Sequence, residues 1–341
     1  MNTDQPTRRA TISDVARLAG VSISTVSRVV NGTGPVADET VEHVRKAIDL
    51  LHYKPLAAAR SLAGRASDTI GMLVPELTGA FFTPLVRGVE MAARDAGYDL
   101  LVHLVTGGVS NDDTAMLPLD EHNTDGLIVF NDRLDDQSLR RLAGNGVPLV
   151  LLYRTAPADL AIPSIKFQNV EGAREIVEHL IVHHARRRIA YLAGPEGNED
   201  SAQRLNGYRQ ALEAHGLAWD PHLVEPADYN NHMARAVVER WLLDGVQFDA
   251  IFAADDEAAA GAMLALRQAG CNVPDDVAVV GFDDLAFSHL LTPPLTTVGA
   301  SVEESGIMAG RLLIAQIRDE EVPKLTVLPT KLVIRQSCGC P

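Results

Sequence analysis

Residues Thr11–Gly32 read TISDVARLAGVSISTVSRVVNG. The spacing predicts two short helices around a tight turn. Thr11, with Asp14 three residues on, has the form of a capping box. Val15, Ala16 and Ala19 fall on one helical face. Gly20 interrupts the pattern where a positive φ costs a glycine little. Ser22 is placed to cap a second helix, in which Val26, Val29 and Val30 turn inward. Ile23, Ser24, Ser27 and Arg28 are left on the outer face, and short hydroxyls with one Arg suit a helix pressed against DNA phosphates. An ordinary helical hairpin fits the same pattern equally well.

Further along, Val41, Val44, Ile48 and Leu51 repeat at helical spacing and predict a third helix from about Asp38 to Leu51. Charge is distributed unevenly. Formal net charge is −15, yet residues 1–65 hold nine Lys/Arg against six acids, and the remainder 21 against 39. A small basic head on an acidic body confines attraction for phosphate to one end.

ISDVARLAGVSISTVSRVVNG, continued by VRKAIDLLHYKPLAAARSLAGR, resembles the DNA-binding head of the lac-repressor (LacI/GalR) family of bacterial transcription regulators. The resemblance implies a helix-turn-helix domain over residues 1–55, whose DNA-facing positions are Thr11, Ser22, Ile23, Ser24 and Thr25, then Ser27, Arg28, Asn31 and Tyr53. It implies a hinge helix over 56–66 that folds on a pseudo-palindromic operator, with Ala59 facing the DNA and Leu62 wedged into the minor groove. An apolar wedge of that kind kinks the duplex. A lone helix of about ten residues is marginal in water, which fits folding on a partner. Leu56 stands where the family usually has Asn after the proline, so a helix cap is lost there.

From Asp68 the pattern changes. TIGMLVP, YDLLVHLV, DGLIVF and VPLVLLY are apolar runs bounded by polar turns, with helices expected from near Phe81, Asn111 and Asp135. PSIKF, RIAYLAG, FDAIFAA and VAVVGF form a second series, with helices after Val170, Ser201, Met233 and Glu257. LTTV, a helix over Val302–Ile317 and LVIR follow. Alternation of this kind predicts an α/β core of two doubly wound parallel sheets. The whole resembles the two-lobed periplasmic sugar-binding proteins, which implies three crossings between lobes, placed near Ser164, Thr292 and Thr326. The effector-binding and dimerisation core is then 67–341, with an N-lobe of about 67–164 plus 293–325 and a C-lobe of about 165–292 plus 326–341.

Ligands of open parallel sheets bind beyond the carboxyl ends of the strands. That rule selects Asn131, Tyr153, Arg154, Asp255, Asp256, Asp283 and Asp284, with Phe81, Phe82 and Tyr229 as rings to cover a sugar face. The resemblance sharpens the selection. SAQRLNGY matches the family's R-x-x-G-aromatic motif and implies that Arg204 grips the effector. AADDEAAAGAM matches N-D-x-x-A-x-G and implies that Asp256 accepts ligand hydroxyls, with Asp255 in place of the usual Asn. GAFF and DYNNH put Phe82 and Tyr229 at ring-stacking positions, and SIKFQN puts Phe167 in the pocket wall. Tyr153 stands where the lac repressor has an Asp, and Gly79–Ala80 replaces a common Asn-Pro. Asp283 and Asp284 are expected to brace the hinge, and Trp241 to pack in the core.

Three cysteines, Cys271, Cys338 and Cys340, suit a reducing cytoplasm. Cys338 and Cys340 lack neighbouring partners in sequence, so no metal site is expected, and HHARRR reads as a solvated helix end. No apolar h-region and no run of about 20 apolar residues is present, so neither export nor a membrane is expected. There is no G-x-S-x-G, H-E-x-x-H, P-loop, or G-x-G-x-x-G after the first strand, which argues against an enzyme and against a cofactor. The expected function is a homodimeric, ligand-responsive repressor with a sugar or related effector. A transport-type solute-binding protein accounts for the clamp but not for residues 11–65, and a purine-type corepressor is the other alternative. No leucine heptad tail follows Cys340, so a tail-built tetramer is not expected.

Overall fold

The structure is a computed structural model and describes residues 10–31, 33–53, 67–105, 119, 123–130 and 134–341. The chain divides into two compact units, Met1–Ser67 and Asp68–Pro341.

The first unit is three helices, α1 (Ile12–Ala19), α2 (Ile23–Asn31) and α3 (Asp38–Leu51). The Thr11 hydroxyl accepts the Asp14 N–H while the Asp14 carboxylate accepts the Thr11 N–H at 2.9 Å, completing the capping box. Gly20, at φ 68°, ends α1 in the left-handed region. Ser22 Oγ accepts the Thr25 N–H at 3.1 Å and so caps α2. Val15, Ala16, Val26, Val44 and Ala47 form the buried centre, with Val29, Val30 and Tyr53 packed against it.

The second unit holds two parallel sheets. One has six strands in the order β11-β5-β4-β3-β1-β2, where β1 is Thr69–Val74, β2 Asp99–Leu104, β3 Leu127–Phe130, β4 Leu149–Leu152, β5 Ser164–Phe167 and β11 Leu325–Leu328. The other runs β7-β6-β8-β9, where β6 is Ile189–Ala193, β7 Val224–Pro226, β8 Ala250–Ala253 and β9 Ala278–Val280. Helices on the faces bury LIVF, LVLL and AIFA almost completely, which is why these runs are continuously apolar. The helices are α4 (Phe82–Ala96), α5 (Asp136–Gly144), α6 (Asn169–His184), α7 (Glu199–Ala214), α8 (Asn231–Leu243), α9 (Asp256–Gln268) and α10 (Val302–Ile317). The helix expected near Asn111 lies outside the described residues.

The lobe boundaries need moving. PSIKF opens no second series, because β5 is hydrogen-bonded between β4 and β11 in the first sheet. The first lobe therefore runs through Phe167, not to Ser164, and its last strand through Leu328, not Thr326. The middle crossing is β10 (Thr297–Ala300), not Thr292, for bridges at Thr296 and Gly299 still tie it to Val280 and Asp283. β10 also pairs antiparallel with β12 (Thr330–Val333), so two crossing strands form one ribbon beside the two parallel sheets. Strand pattern gives period and length but not the neighbour a strand selects, which is how these boundaries slipped.

Candidate functional site

Between the carboxyl ends of the two sheets lies a cavity of about 330 Å3. Its two walls differ chemically. From the first lobe come Phe81, Phe82, Phe130 and Tyr153. Phe81 meets Tyr153 edge-on at 5.7 Å, and Phe130 meets Tyr153 at 5.5 Å and 81°. This edge-to-face order is the favoured geometry for aromatic quadrupoles. Phe167 stacks on Tyr153 at 5.1 Å and 21° but does not reach the cavity, so it supports the wall from behind.

The second lobe contributes charge. Arg204, on α7 and 3% exposed, donates from Nε to Asn169 Oδ1 at 2.9 Å, from one terminal nitrogen to the Ala254 carbonyl, and from the other to Asp283 Oδ1 at 3.1 Å. Its guanidinium lies 3.8 Å from the centre of the Phe282 ring. Among the described residues, three of its five N–H donors have partners, and two are left for a ligand. Asp200, Asp255 and Asp283 also line the cavity. Asp255 is the N-cap of α9 and accepts the Ala258 N–H at 2.9 Å. Burial pushes the Asp255 carboxyl well above the usual carboxylate range, reinforced by the charge of Asp283. Burial raises Asp200 to about 6, against the pull of Arg204. Tyr229 closes this side beneath Gly194, where a Cβ would come within 2.4 Å of the Tyr229 ring.

The backbone is strained at the same place. Of nine described non-glycine residues with positive φ, four line the cavity: Tyr153 (60°), Asp228 (52°), Tyr229 (57°) and Asp283 (101°). Left-handed tyrosines are uncommon, and such strain concentrates at binding sites. At the cavity's edge, Glu199 of the second lobe accepts from the Thr155 N–H and hydroxyl of the first, both at 2.7 Å, and pairs with Lys166 of β5.

Phe82, Tyr153, Arg204 and Tyr229 are thus brought together as the sequence predicts. Asp256 is not on the wall. Its carboxylate accepts the Leu285 N–H at 2.8 Å, the Ser288 hydroxyl at 2.5 Å and the Thr297 hydroxyl at 2.6 Å, and it is fully buried. Gly281 makes room for it, since a Cβ there would lie 2.3 Å from Asp256 Oδ1. Asp256 braces the crossing segment, and of the adjacent pair it is Asp255 that lines the cavity. Asp283 likewise faces the cavity, against the expectation that it only braces the hinge; Asp284 pairs with Arg335 at 2.7 Å. Arg154 turns to the Leu134 carbonyl and Asp136. Trp241 packs in the second lobe as expected. Phe130, Asn198 and Asp200 were not selected, although Phe130 ends β3 and Asn198 caps α7 where the strand-end rule applies. Asn131 lies outside the described residues.

In the head, Ser22, Ser24 and Arg28 are exposed, and Ile23 is exposed to 51% despite being apolar. Thr11, Thr25 and Ser27 are half-buried, and Tyr53 packs on the head's own core. The Asn31 side chain, Ala59 and Leu62 lie outside the described residues.

Residues 11–55 match the model of the lacI family of bacterial regulatory proteins, and 177–338 that of a periplasmic binding protein-like domain. The ribose operon repressor of Halalkalibacterium halodurans is 35% identical over 96% of this chain and 96% of its own. The chain belongs to the lacI family. Two solved structures share its fold. The lac repressor dimer bound to operator and the anti-inducer ONPF is 30% identical with a TM-score of 0.81, over 97% of this chain and 99% of that one. The complex of the transcriptional regulator CelR with cellobiose is 33% identical with a TM-score of 0.71, over 96% and 100%. Like its lacI-family relatives, the chain is a DNA-binding transcriptional regulator. Among the described residues no helix is long and apolar enough to cross a membrane.

Proposed function

We propose that this regulator is a cytoplasmic, homodimeric repressor whose core, 68–341, closes on a sugar or closely related polyhydroxylated effector and thereby changes affinity for a pseudo-palindromic operator. The observation that carries the reading is the cavity's division into a ring wall and a charged wall. Sugars present an apolar face and an equatorial belt of hydroxyls. The rings of Phe81, Phe82, Phe130, Tyr153 and Tyr229 suit the face, and Arg204, Asp255 and Asp283 suit the belt. A volume of about 330 Å3 is at the small end of the ~300–1,000 Å3 typical of small-molecule sites. The relatives' own names, a ribose repressor and a cellobiose complex, agree in class. The carboxylates are engaged as a helix cap, an ion-pair partner and an amide acceptor, which supports binding without catalysis.

In the head, Ile23, Ser24 and Arg28 are the exposed side chains among the described residues of the second helix and are proposed to enter the major groove, with Thr11, Ser22, Thr25, Ser27, Asn31 and Tyr53 around them. Ala59 and Leu62 are proposed to act in the minor groove. The test is a thermal-shift screen of pentoses, hexoses, β-linked disaccharides and purines on the full chain. A ligand that binds only the native state raises its melting point by mass action. The hit is then added to a gel shift with the protein's own promoter DNA. A sugar that raises the melting point and changes DNA affinity is the expected result. A purine hit with no sugar hit overturns the proposal.

A further inference from the structure

The sequence separates HLIVHHARRR, at the end of α6, from SCGC, at residues 337–340, by nearly 150 positions. The fold brings them together. His179, His184, Cys338 and Cys340 place one ligand atom each within 4.8 Å of all the others. The two imidazole Nε2 atoms are 3.2 Å apart, and Cys340 Sγ lies 3.4 Å from His184 Nε2 and 3.7 Å from His179 Nε2. A zinc tetrahedron with Zn–S of about 2.3 Å and Zn–N of about 2.0–2.1 Å has edges of about 3.3 Å between nitrogens and about 3.6 Å between sulfur and nitrogen. The three distances match that tetrahedron.

The arrangement is held from both sides. Ser337 anchors the C-terminal segment: its Oγ donates to the Val279 carbonyl at 2.6 Å and accepts the Thr296 N–H at 2.8 Å. Cys338 is buried and accepts the Thr296 hydroxyl at 3.2 Å. Gly339 turns the chain between the two cysteines at φ 111°, and a Cβ there would approach His184 Nδ1 to 3.0 Å.

We propose that His179, His184, Cys338 and Cys340 bind one zinc ion that staples the C-terminal segment to α6. Two Zn–N and two Zn–S bonds form, and the two thiol protons pass to solvent. The resulting site is neutral overall, which suits its half-buried position. Thiolates with imidazoles select zinc over magnesium or calcium, which take oxygen ligands. None of the four residues lines the effector cavity, so the inference is independent of the effector's identity. It replaces the sequence reading in which the cysteines lack partners and HHARRR is merely solvated. A local motif search has no means of joining a C-x-C to a helix end so far upstream.

The test uses the full chain, reduced and stripped by a chelator. Cobalt(II) is expected to bind one equivalent per chain, giving a thiolate-to-cobalt charge-transfer band and the visible bands of tetrahedral cobalt, both abolished by one equivalent of zinc. Cys340→Ser and His184→Gln should lose the bands, while Cys271→Ser keeps them. As a check that needs no variant, zinc should block alkylation of Cys340 in the wild-type chain and leave Cys271 as reactive as before. Absence of the bands in wild type, bands undiminished in a folded Cys340→Ser, alkylation of Cys340 unaffected by zinc, or a Cys338–Cys340 disulfide forming in place of metal uptake would each overturn the proposal.

Discussion

The two walls of the cavity are built on opposite principles. The first lobe's wall is interlocking rings whose positions are set by packing, and each ring touches others at 5–6 Å. The second lobe's wall is a set of charges whose positions are set by hydrogen bonds to one another, centred on Arg204 and Asp283. A ring wall loses one member and the rest persist. A charge wall that loses one member leaves the others buried without partners. The lobes should therefore respond very differently to single substitutions.

Arg204→Ala should show the contrast most strongly. It strands Asp283 and removes the donors offered to the ligand, so the core is expected to lose on the order of 3–5 kcal/mol of stability, with effector binding undetectable by calorimetry. A variant that melts like wild type would show that the charged wall is no more interdependent than the ring wall. Next come the two adjacent aspartates. Asp255→Asn keeps the cap on Ala258 but replaces the carboxyl's second oxygen with an NH2 donor, so effector affinity should fall roughly 10-fold at nearly unchanged stability, as expected for about 1–1.5 kcal/mol. Asp256→Ala should do the reverse, costing about 3 kcal/mol of stability by leaving Leu285 N–H and two hydroxyls unpaired. Equal effects on affinity would reverse the assignment of the cavity carboxylate.

On the ring wall, Phe130→Leu should cost about 1 kcal/mol of ligand stacking, roughly fivefold in affinity, with little change in melting. The last contrast concerns pH. Burial holds Asp200 at about 6 against an ordinary 3.8. The folded chain thus keeps a proton that the unfolded chain releases, and the contribution fades as pH rises from about 4 through about 6. Melting curves of Asp200→Asn minus wild type across that window should show the variant gaining stability relative to wild type with rising pH. A flat difference would mean that Asp200 is charged throughout.

How legible each part was follows from what fixes it. The head's helices are set by local signals, so Thr11 with Asp14, Gly20 and Ser22 locate them, and α3 spans Asp38–Leu51 as its periodicity predicts. Arg204, Tyr153, Phe82 and Tyr229 were legible because strand ends and family motifs both point to them. The choice between Asp255 and Asp256 was not. Successive helical residues differ by about 100°, so of two adjacent aspartates the N-cap faces the cavity and the next turns into the fold. The cap preference for the first Asp of a DDEA run carried that signal. Phe167 failed for the same kind of reason, since alternation along a strand does not say which layer lies nearest a ligand. The crossings failed because they depend on strand partners distant in sequence.

The pairing of β10 with β12 has a mechanical consequence. Three independent strands between two lobes would act as three soft hinges, free to bend, shear and twist separately. Tied by hydrogen bonds from Thr297–Val333 to Ala300–Thr330, two of them move as a single strip. A strip resists in-plane shear far more than it resists twist. Opening of this cleft is thereby channelled into one coordinate, and a ligand that shifts that coordinate shifts the whole first lobe with it.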